Sequence, residues 1–232
     1  MYHNIGAPPQ GARLRNLYVR RNAFARQMFM LRLLGYKGLS MSAAMPYLRG
    51  EKQGRVAAIT FDDGYVDTLE SALPILKKNG FSATCYFISR RAGQYNEWDS
   101  STLNVRKSLM NDEQILEWHK AGMEVGAHSR THPRLTGCTD EELRNEILGS
   151  KTDLESLTGG AVTQFCYPYG DLDDRVVSVV HQAGFDAATT TYRGRIQPND
   201  DPLRYHRVLV GGSTLPHLFI LKLLSAYEDK RG

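Results

Sequence analysis

Two short clusters carry residue types suited to metal and proton chemistry. Thr60-Phe61-Asp62-Asp63-Gly64-Tyr65 follows on from the apolar run Arg55–Phe61, which reads as a buried strand. Adjacent carboxylates at a strand's end repel each other, and partial burial disfavours ionising both unless a cation is close. A divalent metal resolves the conflict. One Asp ligates it while its neighbour, pointing elsewhere, handles protons, and Gly64 permits the turn that exposes both. The second cluster, His128-Ser129-Arg130-Thr131-His132, follows a predicted strand ending at Ala127. Histidines at i and i+4 on one helical turn share a face and can reach a single ion. Each cluster alone has a plainer reading: Asp-Asp-Gly is common in turns that cap a helix, and an isolated histidine pair is more often a surface feature. Their joint position at strand ends changes the weighing. In a β/α barrel the C-terminal strand ends share one face, where active sites lie. Asp63, His128 and His132 then form a two-histidine, one-carboxylate set with open positions. That is a catalytic-zinc pattern which iron or cobalt also uses.

The elements that must position these residues alternate along the chain. Phe24, Met28, Leu31 and Leu34 mark one face of a helix that Gly35 stops, and Tyr36–Leu39 resumes the chain. Ser40 is placed to cap a short helix through Leu48. Leu69–Lys78 is helical, with Pro74 in the first turn of its main part, and Ser82–Ile88 is a strand. Ser89–Met110 shows no clear period and reads as a long loop, a feature often tied to function. Asn111 with Gln114, and Thr139 with Glu142, are capping boxes that open two helices. Further strands are predicted at Met123–Ala127, Gln164–Tyr167, Asp186–Thr190 and Val208–Val210, and helices at Asp171–Ala183 and Pro216–Tyr227. Six or seven β/α units suggest an α/β fold closed, or nearly closed, into a barrel.

Composition excludes several classes. The 232 residues are 41% hydrophobic and 23% charged, as in ordinary globular domains. No stretch approaches the roughly 20 apolar residues of a membrane span, so no transmembrane segment is expected. A net charge of +4 without a dense Lys/Arg run gives no case for nucleic acid. Three scattered cysteines make neither a disulfide framework nor a CxxC zinc site. No signal peptide is visible, which argues for the cytoplasm. An extracytoplasmic location stays open, because Met1 stands almost on top of the Tyr2-His3 pair discussed below.

These clusters resemble the polysaccharide deacetylase family, the NodB-homology or carbohydrate esterase family-four domain. TFDDGY resembles its first motif and HSRTH its second. Phe165-Cys166-Tyr167-Pro168-Tyr169-Gly170 resembles the third, usually written RxPYG, and order and spacing agree from about Arg55 to Val210. The preceding segment resembles the N-terminal stretch of one bacterial subgroup. The resemblance implies a distorted (β/α)7 TIM-like barrel formed by a single domain over 1–232, with a segment 1–53 packed on a core of about 54–232. It implies metal-dependent removal of acetyl groups from N-acetylated sugars, with an acetylated carbohydrate as the partner. Carried over by position, Asp62 is the general base, Asp63, His128 and His132 hold the metal, and the Tyr169 N–H helps form an oxyanion hole. Zinc is the first expectation for the metal, with cobalt, iron or nickel as alternatives. A metal-dependent amidase or deformylase on a non-sugar substrate, or a non-catalytic carbohydrate-binding relative, are the rival readings.

The chain departs from the family pattern at three places. The arginine of the third motif, which orients the base, falls on Cys166; Arg193, Arg195 and Arg207 are candidate substitutes. Cys166 itself reads as a small buried strand residue. The late Leu-x-His motif is not apparent. His206 is one candidate for the catalytic histidine and His3 the other, because in a permuted subgroup an N-terminal Tyr-His supplies it; His3 is preferred. Against it stands the tendency of terminal residues to fray. The Asp-rich fourth motif is absent, and Asp171, Asp173 and Asp174 look like a helix N-terminus. His119 and His181 read as helix-surface residues. Trp98 and Tyr95 in the long loop, with Tyr65 and Tyr169 beside the motifs, are candidate cleft aromatics.

Overall fold

Parallel strands need crossovers, and the alternation of short apolar runs with amphipathic helices supplies them. The computed structural model describes residues 1–231. Six parallel strands form the main sheet, in the order β5 (Thr60–Phe61), β6 (Thr84–Phe87), β7 (Glu124–Ala127), β8 (Gln164–Cys166), β9 (Ala187–Arg193) and β10 (Tyr205–Arg207). Strand order follows chain order, as in a barrel. Helices α3 (Leu73–Asn79), α5 (Asp112–Lys120), α6 (Asp140–Thr158) and α7 (Asp174–Gln182) connect them. Both predicted capping boxes are present, at Asn111/Gln114 and Thr139/Glu142.

The gap between the two sheet edges is bridged by the first residues of the chain. Tyr2 pairs in parallel with Phe61. Its N–H donates to the Thr60 carbonyl (2.9 Å), and its carbonyl accepts from Asp62 N–H (3.0 Å). On the other side the Met1 nitrogen donates to Val208 O (2.9 Å), and Val210 N–H donates to Met1 O (3.2 Å). This segment holds the seventh strand position of the distorted barrel. It does not fray, because Tyr2 is 4% exposed, packs on Phe24 and Phe61, and donates its hydroxyl to Gln27. Two small parallel pairs flank the barrel: β1 (Asn4–Ile5) with β2 (Tyr18–Val19), and β3 (Lys37–Leu39) with β4 (Val56–Ala58). Phe24, Met28 and Leu31 of α1 (Arg21–Leu33) share one core with Phe61, Phe165 and Phe219. Tyr2, Ile5 and Val19 join the same core, while Met41 and Met45 of the following helix pack with Tyr86, Cys166 and Tyr205.

Several expectations are corrected. The single strand predicted over Arg55–Phe61 is divided at Ile59 into β4 and β5, which pair with different neighbours. The segment Ser89–Met110 is not an uninterrupted loop: it holds a 3-10 turn at Ser89–Arg91 and helix α4 (Glu97–Leu103). The last strand is Tyr205–Arg207 rather than Val208–Val210. Its inward positions are Tyr205 and Arg207, and a buried arginine hides the strand from any apolar pattern. Ser40 precedes α2 (Met41–Leu48) without a side-chain cap; the Met41 N–H is taken by the Thr84 hydroxyl of the adjacent strand. Helix α8 (Pro216–Leu224) ends three residues before Tyr227. Among the described residues no helix is long and apolar enough to cross a membrane.

Tyr2→Ala empties a buried aromatic site and loosens the barrel closure. The expected cost is about 3–5 kcal/mol in the free energy of unfolding, read from denaturant titration.

Candidate active site

Asp62 and Asp63 at the end of β5 meet different partners, and the backbone turns sharply between them and Tyr65. Asp63 (φ 75°) and Gly64 (φ 75°) both adopt left-handed conformations. At Gly64 a Cβ would stand 2.7 Å from the Phe87 ring, so glycine is needed for space as well as for conformation. All four side chains of the two clusters are buried, at 2% exposure for Asp62 and His128, 7% for Asp63 and 5% for His132.

Asp63, His128 and His132 converge. The Asp63 Oδ1 lies 3.5 Å from His128 Nε2 and 3.6 Å from His132 Nε2. Donor atoms bound at about 2.0–2.2 Å to one tetrahedral ion lie roughly 3.3–3.6 Å apart, so the set fits a divalent metal. The hydrogen bonding at the imidazoles fits as well. His128 Nδ1 faces the Cys166 carbonyl at 2.7 Å, and a carbonyl only accepts, so Nδ1 carries the hydrogen and Nε2 is the atom turned to Asp63. Burial acts to lower this imidazole, but Cys166 and Asp63 hold it well above its ordinary value, so a cation bound at Nε2 would displace a proton there. Burial, reinforced by the charge of His128, pushes His132 down to about 3, which keeps this imidazole neutral. Its Nδ1 is buried without a hydrogen-bond partner. Burial would raise the Asp63 carboxyl, but His128, His132 and His3 together hold it below its ordinary value.

The two histidines do not share a helical turn, contrary to expectation. His128–His132 is an irregular loop in which Ser129 (φ 62°) and His132 (φ 68°) are left-handed. The Ser129 hydroxyl accepts the His132 N–H at 3.0 Å. The imidazoles meet because the chain doubles back, and Pro133 follows at once.

Asp62 faces Arg207. The guanidinium donates to both carboxylate oxygens at 2.6 and 2.7 Å. Its remaining N–H groups reach Thr190 O, Thr60 Oγ1 and, at 3.3 Å, Cys166 Sγ, so the buried cation is fully partnered. Burial acts to raise the Asp62 carboxyl, but Arg207 beside it, helped by His3 and His128, holds it well below the usual carboxylate range. Of the three arginine candidates only Arg207 stands at the carboxylate; Arg193 pairs with Glu228 and Arg195 with Asp229. The small side chain of Cys166, fully buried on β8, leaves room for a guanidinium arriving from β10. His3 Nε2 lies 3.8 Å from Asp62 Oδ2. His206 is exposed and packs beside Tyr192 and Gly194, away from this cluster, as strand alternation requires of a residue between two inward neighbours.

An aromatic rim surrounds His132. The Trp98 ring, carried by α4, lies 4.7 Å from it and the Tyr169 ring 4.5 Å. Tyr169 is left-handed (φ 60°), and the Arg134 guanidinium covers its ring at 4.6 Å. Tyr65 is buried beside Asp63, whereas Tyr95 is stacked under Arg106 within its own loop. His119 and His181 are exposed on helices. Asp173 caps α7 and Asp174 opens it, as expected. Asp171 instead accepts from the N–H and hydroxyl of Thr136. The Cys166 carbonyl, which orients His128, had no signature in the sequence, since any residue there supplies one.

The chain is similar to known proteins over most of its length. The family profile described as polysaccharide deacetylase matches residues 49–188. Bacillus subtilis YxkH is 28% identical over 212 residues, covering 90% of this chain and 70% of that protein. The Staphylococcus aureus poly-β-1,6-N-acetyl-D-glucosamine N-deacetylase is 22% identical over 227 residues, covering 94% and 75%. The crystal structure of BC0361, a polysaccharide deacetylase from Bacillus cereus, superposes with a TM-score of 0.81 at 28% identity, over 96% of this chain and 67% of that one. With a barrel of this topology and a matched segment spanning more than half its length, the chain belongs to the polysaccharide deacetylase family, hydrolases of amide carbon–nitrogen bonds.

Proposed function

We propose that this protein removes acetyl groups from N-acetylated sugars in a metal-dependent hydrolysis, with Asp62 as general base and Asp63, His128 and His132 as metal ligands. The observation that carries the reading is the buried three-donor cluster lying directly beside a second, arginine-clamped carboxylate. A divalent ion, zinc in the first instance, would polarise the acetyl carbonyl and acidify water towards neutrality. Asp62 is held ionised by Arg207, and one Arg-paired oxygen lies towards His3, so the base and a prospective acid face a common space. The carboxylate takes a proton from the attacking water as the new carbon–oxygen bond forms. A sugar amine leaves poorly unless protonated, and an imidazolium at His3 is the donor suited to near-neutral pH. By the family resemblance, the Tyr169 backbone N–H serves as a donor to the developing oxyanion. Trp98 and Tyr169 line the centre beside His132 and are the aromatic groups placed to meet a sugar ring.

The name of the Staphylococcus aureus relative supports an N-acetylglucosamine polymer as the substrate class. The deciding experiment measures acetate release from N-acetylglucosamine oligomers beside small acetylated and formylated amides. Turnover of the amides alone would replace the sugar reading with an amidase.

Asp62→Asn is expected to lower kcat by about 10²–10⁴ or more while metal remains bound, and His128→Ala to lose the metal, both read by metal analysis alongside acetate release. Near-wild-type turnover in Asp62→Asn would remove the base assignment. Arg207→Met removes the main opposition to burial at Asp62, so its carboxyl titrates at higher pH. The acid limb of the kcat/KM profile should then move up by about one pH unit or more, and activity at neutral pH should fall.

A further inference from the structure

The loop that brings the two histidines together is held from outside, by α6. Glu146 on that helix is 8% exposed, and its carboxylate faces the loop. One oxygen accepts both the Arg130 N–H and the Thr131 N–H at 2.9 Å; the other accepts the Thr131 hydroxyl at 2.7 Å. Two turns further along the same face, Asp153 receives the Arg130 side chain bidentately, at 2.8 and 2.7 Å. Between them lies Gly149. A Cβ there would stand 2.4 Å from the Arg130 guanidinium, so the arginine lies flat on the helix only because residue 149 has no side chain. The 3-10 turn after β6 completes the hold. Ser89 and Arg90 donate their N–H groups to Ser129 O and Arg130 O, and the Ser89 hydroxyl donates to Asp153.

Each backbone polar group from Ser129 O to Thr131 N is thereby fixed, in a stretch with left-handed non-glycine residues at Ser129 and His132. Such conformations persist only where the surroundings over-determine them. None of these α6 residues touches the metal-binding atoms. We infer that Glu146, with Asp153 across Gly149, is a positioning residue: it pre-forms the His128–His132 loop so that both imidazoles converge with Asp63. The inference rests on the metal site proposed above and adds a second layer to it, since residues that orient ligands contribute to metal affinity without binding the ion.

The test uses the whole protein and Co²⁺ alone. Affinity is measured by chelator competition, coordination by visible absorption, and fold by far-ultraviolet circular dichroism. Glu146→Gln keeps the shape but turns an NH₂ donor towards a site lined by donors. Its Co²⁺ affinity is expected to fall about 10- to 100-fold with an altered visible band and unchanged fold. Thr131→Val, which removes one bond of the three, should fall between wild type and Glu146→Gln, while Thr131→Ser restores wild-type affinity. If Glu146→Gln does not fold, the comparison of Thr131→Val with Thr131→Ser carries the test. Wild-type affinity and spectrum in a folded Glu146→Gln, or in Thr131→Val, overturn the clamp and leave the metal site standing. A folded wild-type protein that binds no Co²⁺ overturns the metal site, and the clamp with it.

Discussion

Two neighbouring carboxylates buried at the end of one strand cannot both remain ionised without cationic or metal partners, and this constraint organises the protein. The left-handed turn at Asp63 and Gly64 separates the pair, sending Asp62 towards Arg207 and Asp63 towards two imidazoles. The two solutions differ in kind. At Asp62 the countercharge is a permanent guanidinium with every N–H occupied, so the carboxylate stays charged and fixed in direction. At Asp63 the partners are histidines, one of them kept neutral by burial, and the three donor atoms lie close enough together to share one cation.

Closure of the barrel serves the same end. The segment Met1–Tyr2 lies between β5 and the chain after β10, and the residue that follows it is His3. The hydrogen bonds that seal the barrel therefore deliver an imidazole to the strand-end face, beside Asp62. The arginine arrives from the opposite edge, on β10, and crosses above the small Cys166. Asp62 is thus approached from both sides of the same seam. A change in the packing of Tyr2 or the register of β10 would reach the carboxylate without touching it.

Much of this was legible from residue order. The helices opened by Asn111 and Thr139 have both oxygens of their capping boxes in sequence, three residues apart, and form as expected. The apolar runs before Asp62 and His128 predict strands whose ends share a face. Less legible were features whose cause is remote in the chain. Arg207 breaks the apolar pattern of its strand because its partner, Asp62, is 145 residues away. The His128–His132 segment reads as a helical turn in the sequence but is an irregular loop, because most of its bonds run to Glu146, Ser89 and Arg90. Helix α4 lacks a long apolar period; what anchors it is a loop network, with Asn96 bonded to Val105 and Lys107.

The sequence by itself determined which chemistry was available: adjacent carboxylates after one strand, paired imidazoles after another, and the alternation that makes a β/α barrel. Those are local properties, set by residue type and short spacing. Only the tertiary structure decided which cation faces Asp62, which of two histidines stands near it, and what bends the histidine loop. Each of those is a contact between distant segments, selected by burial and by the requirement that a buried charge or N–H find a partner.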